Sequence, residues 1–178
     1  MKRRSLLLAA LTAALVGCGG GGGGGSTNAR QDVEDYLSQL ERAYDDGVYS
    51  GSSSSYASLI SLSYCQNGLD RSAAIDQFRF DTGDATDAGA TQAFLSGVSI
   101  NNARYSDNDN ILRADVTYRV IFESNSGREV DRLPLFQDTL ILRYEGGRYR
   151  EYGNGQCTLT KGGAPVPAVH RIGKPKTQ

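Results

Sequence analysis

The stretch ILRADVTYRVIFE, residues 111–123, alternates without a break. Leu112, Ala114, Val116, Tyr118, Val120 and Phe122 share one side, while Ile111, Arg113, Asp115, Thr117, Arg119, Ile121 and Glu123 share the other. Successive side chains leave opposite faces of a sheet, so a period of two over this length predicts a long, half-buried β-strand. A helix would repeat its apolar residues every three to four positions instead.

The same period extends outward from this run. Upstream, from Phe94, the residues Val98, Ile100 and Asn102 alternate with Ser99, Asn101 and Ala103, and SDNDN at 106–110 supplies a turn. Downstream, Asn125-Ser126-Gly127 is a second turn, and residues 130–145 form another long run. Pro134 lies inside that run; lacking an N–H to donate, it marks an edge or a bulge. Gly146-Gly147 predicts a tight hairpin, with residues 148–157 returning as the last strand.

Ahead of the strands the period is helical. Asn28 and Gln31 have capping-box spacing, and Asp32, Glu34 and Asp35 crowd a first turn, where the helix dipole favours acids. Val33, Tyr36, Leu37, Leu40 and Tyr44 then follow one helical face, with Gly47 as the expected stop. Tyr56, Leu59, Ile60 and Tyr64 predict a second helix, and Asn67-Gly68 reads as its C-terminal cap. Asp70 caps a third short helix carrying Ala74, Ile75 and Phe78, and residues 81–91 (DTGDATDAGAT) read as loop. Helices followed by an antiparallel meander make an α+β domain, with the helices covering the apolar face of the sheet.

The chain begins with Lys2, Arg3 and Arg4 and an apolar run at 5–16. The run is shorter than the about 20 residues that span a bilayer, so it has the form of a secretory signal peptide. Its exit, Leu15-Val16-Gly17-Cys18, closely resembles the lipobox of bacterial lipoproteins. The resemblance implies cleavage before Cys18, diacylation of its thiol and often acylation of its new amine. Two or more acyl chains anchor stably. Gly19 in place of Asp implies, by the same resemblance, sorting to the outer membrane, facing the periplasm. Residues 1–17 are then signal peptide, and 18–27 are the lipidated cysteine with a Gly-rich tether reaching roughly 15 Å. Residues 28–160 are the domain, and 161–178 are a basic, disordered tail. The glycines are not a phosphate-binding loop, because no Gly-Lys-Ser/Thr follows them.

With Cys18 lipidated, Cys65 and Cys157 remain. In an oxidising envelope compartment they are expected to pair, the alternative being two separate buried thiols. A loop of about 90 residues closed in this way adds up to ~4–5 kcal/mol in the chain-entropy view. A catalytic thiol is disfavoured, since His170 in the tail is the sole histidine. Residues 28–157 hold 12 Arg, no Lys and 20 acids, an acidic balance that argues against nucleic acid as a partner.

Three helices, a sheet of long strands and the hairpin LILRYEGGRYREYGNGQ (140–156) resemble the nuclear transport factor 2-like superfamily, the ketosteroid-isomerase-like cone. NGLDRSAAIDQF (67–78) fits the same pattern. The resemblance implies a curved sheet enclosing a pocket under the helices, and it lets Cys65 and Cys157 approach each other. Relatives of this fold include isomerases, dehydratases and proteins without catalysis, so activity must come from the site itself.

Asp138 is the candidate acid/base group, on one period-two face with Phe136, Leu140, Leu142 and Tyr144. Facing inward, it would be desolvated and its pKa raised towards general-base values. A register shift near Pro134 would instead turn it outward or towards an arginine. Tyr118 and Tyr144 are the other pocket candidates. Arg143, Arg148, Arg150, Tyr149 and Tyr152 gather around the last hairpin, a composition common at interfaces and on solvated strands alike. No metal site is expected: Asp107 and Asp109 lack the spacing of a calcium loop. No cofactor motif is present. The expectation is a membrane-anchored envelope lipoprotein whose cone binds a small hydrophobic ligand or an envelope protein without catalysis. The alternatives are a small cone-fold enzyme moving a proton on a hydrophobic ligand, and a structural accessory of an envelope complex.

Overall fold

The computed structural model describes residues 25–106 and 108–155. Cys18, Asp107, Cys157, the signal segment and the basic tail lie outside the described residues. Helix α1 spans Gly25–Ser50 and α2 spans Ser54–Leu59. A short hairpin of β1 (Cys65–Gln66) and β2 (Leu69–Asp70) leads into α3, Arg71–Asp87. The main sheet follows: β3 (Gln92–Ser106), β4 (Ile111–Glu123), β5 (Glu129–Arg132), β6 (Phe136–Glu145) and β7 (Arg148–Glu151). Its order is β3-β4-β6-β7, all antiparallel, with β5 beside the far end of β4. Helices on one face of a strongly curved sheet make the α+β cone expected from the sequence.

The central strand behaves as its alternation predicts. Leu112, Ala114, Val116, Val120 and Phe122 are buried under the helices. They meet Ala29, Val33, Leu37, Leu40, Ala43 and Val48 of α1, a stripe that recurs every three to five residues along one face of the helix. β3 bends over this core through two register shifts, between Ser96 and Ser99 and between Asn101 and Arg104. Gly97 and Asn102 take positive φ at those bulges. Each bulge inserts a residue, which breaks the alternation and sharpens the twist. Val98, expected on the face of Ile100, is therefore 47% exposed while Ile100 is buried.

The helical boundaries differ from expectation for identifiable reasons. α1 begins upstream of Asn28, so Asn28 is inside the helix and not its cap. Gly47 does not stop it either. A Cβ there would stand 2.7 Å from Phe78 Cζ and 2.9 Å from Thr82 Cγ2, so this glycine lets α3 approach α1 closely. Gly51, at φ +68, is the actual terminator, its N–H donating to the Gly47 carbonyl. α2 stops at Leu59 because Ile60 turns extended and bridges in parallel to Glu151. Tyr64 is therefore not on that helix. Asn67-Gly68 is a hairpin turn with φ of 50° and 86°, the ordinary consequence of an Asn-Gly pair, and not a helix cap.

α3 runs on through most of the stretch expected to be loop, because Thr82 and Ala85 are buried against α1 and tertiary packing outweighs the weak local propensity. Its start is as expected: Asp70 accepts the Ala73 N–H at 2.9 Å. Asp70→Ala should cost about 1 kcal/mol, measured by urea unfolding. An unchanged midpoint would show that the β1–β2 hairpin alone holds the start of the helix.

Candidate functional site

The two-residue turn at Gly146-Gly147 sets the register of the last hairpin: Glu145 opposes Arg148, Tyr144 opposes Tyr149, Arg143 opposes Arg150 and Leu142 opposes Glu151. Leu142 is fully buried on the inner face, so its partner Glu151 also points inward. The backbone of Glu151 is held from α2's side, where Ser61 N–H donates to its carbonyl at 2.9 Å.

Inside the cone Glu151 meets tyrosines, not cations. Tyr36 of α1 donates its hydroxyl to Glu151 Oε2 at 2.6 Å. Burial pushes the Glu151 carboxyl above its ordinary value, and the Tyr36 hydrogen bond pulls partly the other way. The hydroxyls of Tyr36, Tyr44, Tyr56, Tyr64 and Tyr118 are all raised, chiefly by burial and further by the negative charge of Glu151. A carboxyl held by a neutral phenol in a low-dielectric site keeps its proton to higher pH than an exposed carboxyl does, which is the direction that acid/base work needs.

Much of the remaining interior is filled by aromatic rings. Tyr56 stacks on Phe78 at 4.3 Å, and Tyr44 lies 4.9 Å from Phe78 and 6.2 Å from Phe122. Tyr118 stacks on Phe136 at 4.8 Å. Of the three pocket candidates from the sequence, only Tyr118 stands near the buried carboxyl. Tyr144 is 49% exposed and edges onto Tyr149 at the hairpin end. Asp138 keeps the inner-face parity, opposite Val116, yet it is exposed. It accepts the Thr139 N–H at 2.7 Å and the Gln66 side chain at 3.4 Å. Among the described residues β7 pairs only with residues 142–145, so none of them forms a strand on the edge of β6 beside Asp138. The expected desolvated acid is thus not Asp138. Glu151 was overlooked, although counting back from the Gly-Gly turn pairs it with Leu142 and would have found it.

The outer face of the sheet is different in kind. Arg104 pairs across strands with Arg113, Arg113 with Ile141, Ile111 with Arg143, and Arg143 with Arg150. Two adjoining depressions lie there, about 430 and 270 Å³ in volume, and both are lined by Arg113 and Ile141. Arg143 sits over the Tyr152 ring at 5.5 Å. Asp115 is the acid beside them; hydrogen bonds from Asn102 (2.7 Å) and Thr139 (2.9 Å) hold its carboxyl below the usual range.

No family model matches the sequence, and no curated protein matches it. Among solved structures the fold is similar to Aln2 from a Streptomyces species, with a TM-score of 0.56 at 15% identity over 72% of this chain and 88% of that one. A protein from Catenulispora acidiphila gives a TM-score of 0.45 at 14% identity, covering 71% of this chain and 88% of its own. A type 2 hexachlorocyclohexane dehydrochlorinase, LinA, gives 0.43 at 11%, covering 71% and 82%. The likeness to Aln2 establishes the nuclear transport factor 2-like cone as the fold and nothing about the reaction.

Proposed function

We propose that this chain is an envelope lipoprotein, anchored through Cys18 in the outer membrane and facing the periplasm, whose cone domain binds a ligand or partner without catalysis. The observation that carries this reading is the distribution of space. Aromatic side chains pack much of the concave side, and two depressions lie on the outer face among arginines and Tyr152. The lipobox supports the anchor. Full-length protein extracted from cells in detergent should carry two or three acyl chains on its N-terminal Cys18 peptide. Native mass spectrometry of the same sample should show a retained ligand or partner. An unmodified N-terminal peptide would overturn the anchor, and a bare monomer would overturn the binding role.

The Cys65–Cys157 disulfide belongs to the same reading. Gly155 N–H donates to the Cys65 carbonyl at 3.0 Å, which brings the chain beside Cys65 two residues before Cys157. Non-reducing peptide mapping should recover the two cysteines in one linked peptide pair.

A second reading, proton transfer on a hydrophobic ligand, is favoured by the raised carboxyl of Glu151 and its bond from Tyr36. The sign of its pH dependence is opposite to that of a salt-bridged acid. An acid whose pKa is higher folded than unfolded contributes full stability below its unfolded value, near 4.5, and loses it as pH rises towards the folded value. Glu151→Gln should therefore melt at a higher temperature than the parent at neutral pH. The difference should vanish in melts recorded below pH 4.5. A variant less stable than the parent at every pH would show that Glu151 is a structural hydrogen-bonding group and not a strained acid.

A further inference from the structure

The outer face of the sheet carries Arg104, Arg113, Arg143 and Arg150 on four successive strands, and Arg104–Arg113 and Arg143–Arg150 are directly opposed. Like charges placed opposite each other weaken a sheet unless something neutralises them. Among the described residues, Arg104, Arg113 and Arg150 make no salt bridge, and Arg143 reaches Glu145 only at 3.7 Å. Arg150 Nε is buried without a hydrogen-bond partner. Guanidinium groups match the oxygens of phosphate in a bidentate fork, and Ile111, Ile141 and the Tyr152 ring give the depressions an apolar floor.

Two further observations select the occupant. Exposed acids crowd the helices at Glu34, Asp35, Asp45, Asp46, Asp76 and Asp87, whereas the two depressions on the sheet face are lined by Arg104, Arg113 and Arg143 against one acid, Asp115, so that face keeps a net positive charge. The start of α1 is also fastened to the end of β3 that carries Arg104. Arg30 donates to the Ile100 carbonyl at 3.4 Å, and Tyr105 donates to Asp32 at 2.7 Å. Seven peptide units separate Cys18 from Gly25, at most about 25 Å when fully extended, against about 10 Å between packed layers. A lipid on Cys18 would therefore keep this end of the sheet within reach of the membrane surface.

We propose that the outer sheet face, centred on Arg113, binds the phosphates of anionic phospholipid headgroups and lays the tethered domain flat on its own membrane. The choice of a lipid surface rests on the lipid-anchored reading above. Full-length protein is reconstituted from detergent into vesicles of phosphatidylcholine alone or of phosphatidylcholine with phosphatidylglycerol at 7:3, and its arginines are footprinted with phenylglyoxal and mass spectrometry. Arg113 and Arg143 should be modified at least threefold more slowly in the anionic vesicles, while Arg79 on α3 is unchanged. Salt at 0.5 M should remove the protection, because exposed charges are then screened within a few ångströms. Arg113→Gln/Arg143→Gln should lose the protection at Arg104 with an unaltered circular dichroism spectrum.

Equal modification in both vesicles overturns the proposal. So does equal protection by inorganic phosphate or polyglutamate without vesicles, since the face would then bind dissolved anions or acidic protein. The mass of the Cys18 peptide from the same sample separates this failure from failure of the anchor. Vesicles added from outside to an unacylated chain still report on the arginine face.

Discussion

Replacing Phe78 with alanine is expected to destabilise the domain by about 3–5 kcal/mol, the range for losing a buried phenylalanine. The melting point should fall by roughly 10–20 °C. Phe78 is 2% exposed and joins three elements: it stacks on Tyr56 of α2, lies against Tyr44 of α1 and projects from α3. Its ring also fills the place that a side chain at Gly47 would take. Gly47→Ala alone should cost about 1–3 kcal/mol by overpacking, and less in the Phe78→Ala background, where the new methyl enters the vacated space. Urea unfolding of the two single variants and the double variant measures this coupling. Strictly additive losses would show that the close approach of α1 and α3 does not depend on the Phe78 ring.

Gly153→Ala is the second large effect. Gly153 has φ +76, and a Cβ there would fall on the Cys65 carbonyl oxygen. Two hydrogen bonds flank this contact, Cys65 N–H to the Tyr152 carbonyl and Gly155 N–H to the Cys65 carbonyl, both 3.0 Å. The alanine cannot be accommodated without parting the two chains. The expected cost is about 2–4 kcal/mol, from left-handed strain together with lost contacts. Hydrogen exchange should accelerate at Cys65 and Gly155 while the amides of β4 keep their protection. A thermal melt that matches the parent would mean that the 152–155 segment contributes nothing to holding Glu151 in place.

The central strand, its inner face, the three turns in the strand region and the start of α3 at Asp70 were legible in the sequence. Each depends on neighbours within a few residues: alternation, a Gly-Gly or Asn-Ser-Gly turn, or a side chain three residues before the N–H that it caps. Gly47, Val98 and residues 81–87 were misjudged because their states are set by partners distant in sequence. Gly47 is retained inside its helix for Phe78, Val98 is displaced by a bulge, and Thr82 and Ala85 are helical because α1 covers them.

The candidate site divides along the same line. An interior acid with a tyrosine donor was one of the arrangements left open by the sequence, with Asp138 and Tyr118 as its candidates; the structure places Tyr118 inside and Asp138 on the surface. Which carboxyl it is depends on where each strand stops. Asp138 and Glu151 have equal claims by alternation, but among the described residues β7 pairs no further than Leu142, Asp138 is exposed, and Glu151 lies under Tyr36. The sequence by itself determined that helices precede an antiparallel sheet and which side of the central strand is apolar, because both are local and periodic. The tertiary structure decided which acid is desolvated and which arginines share a face, because burial and register depend on strands that meet only after folding.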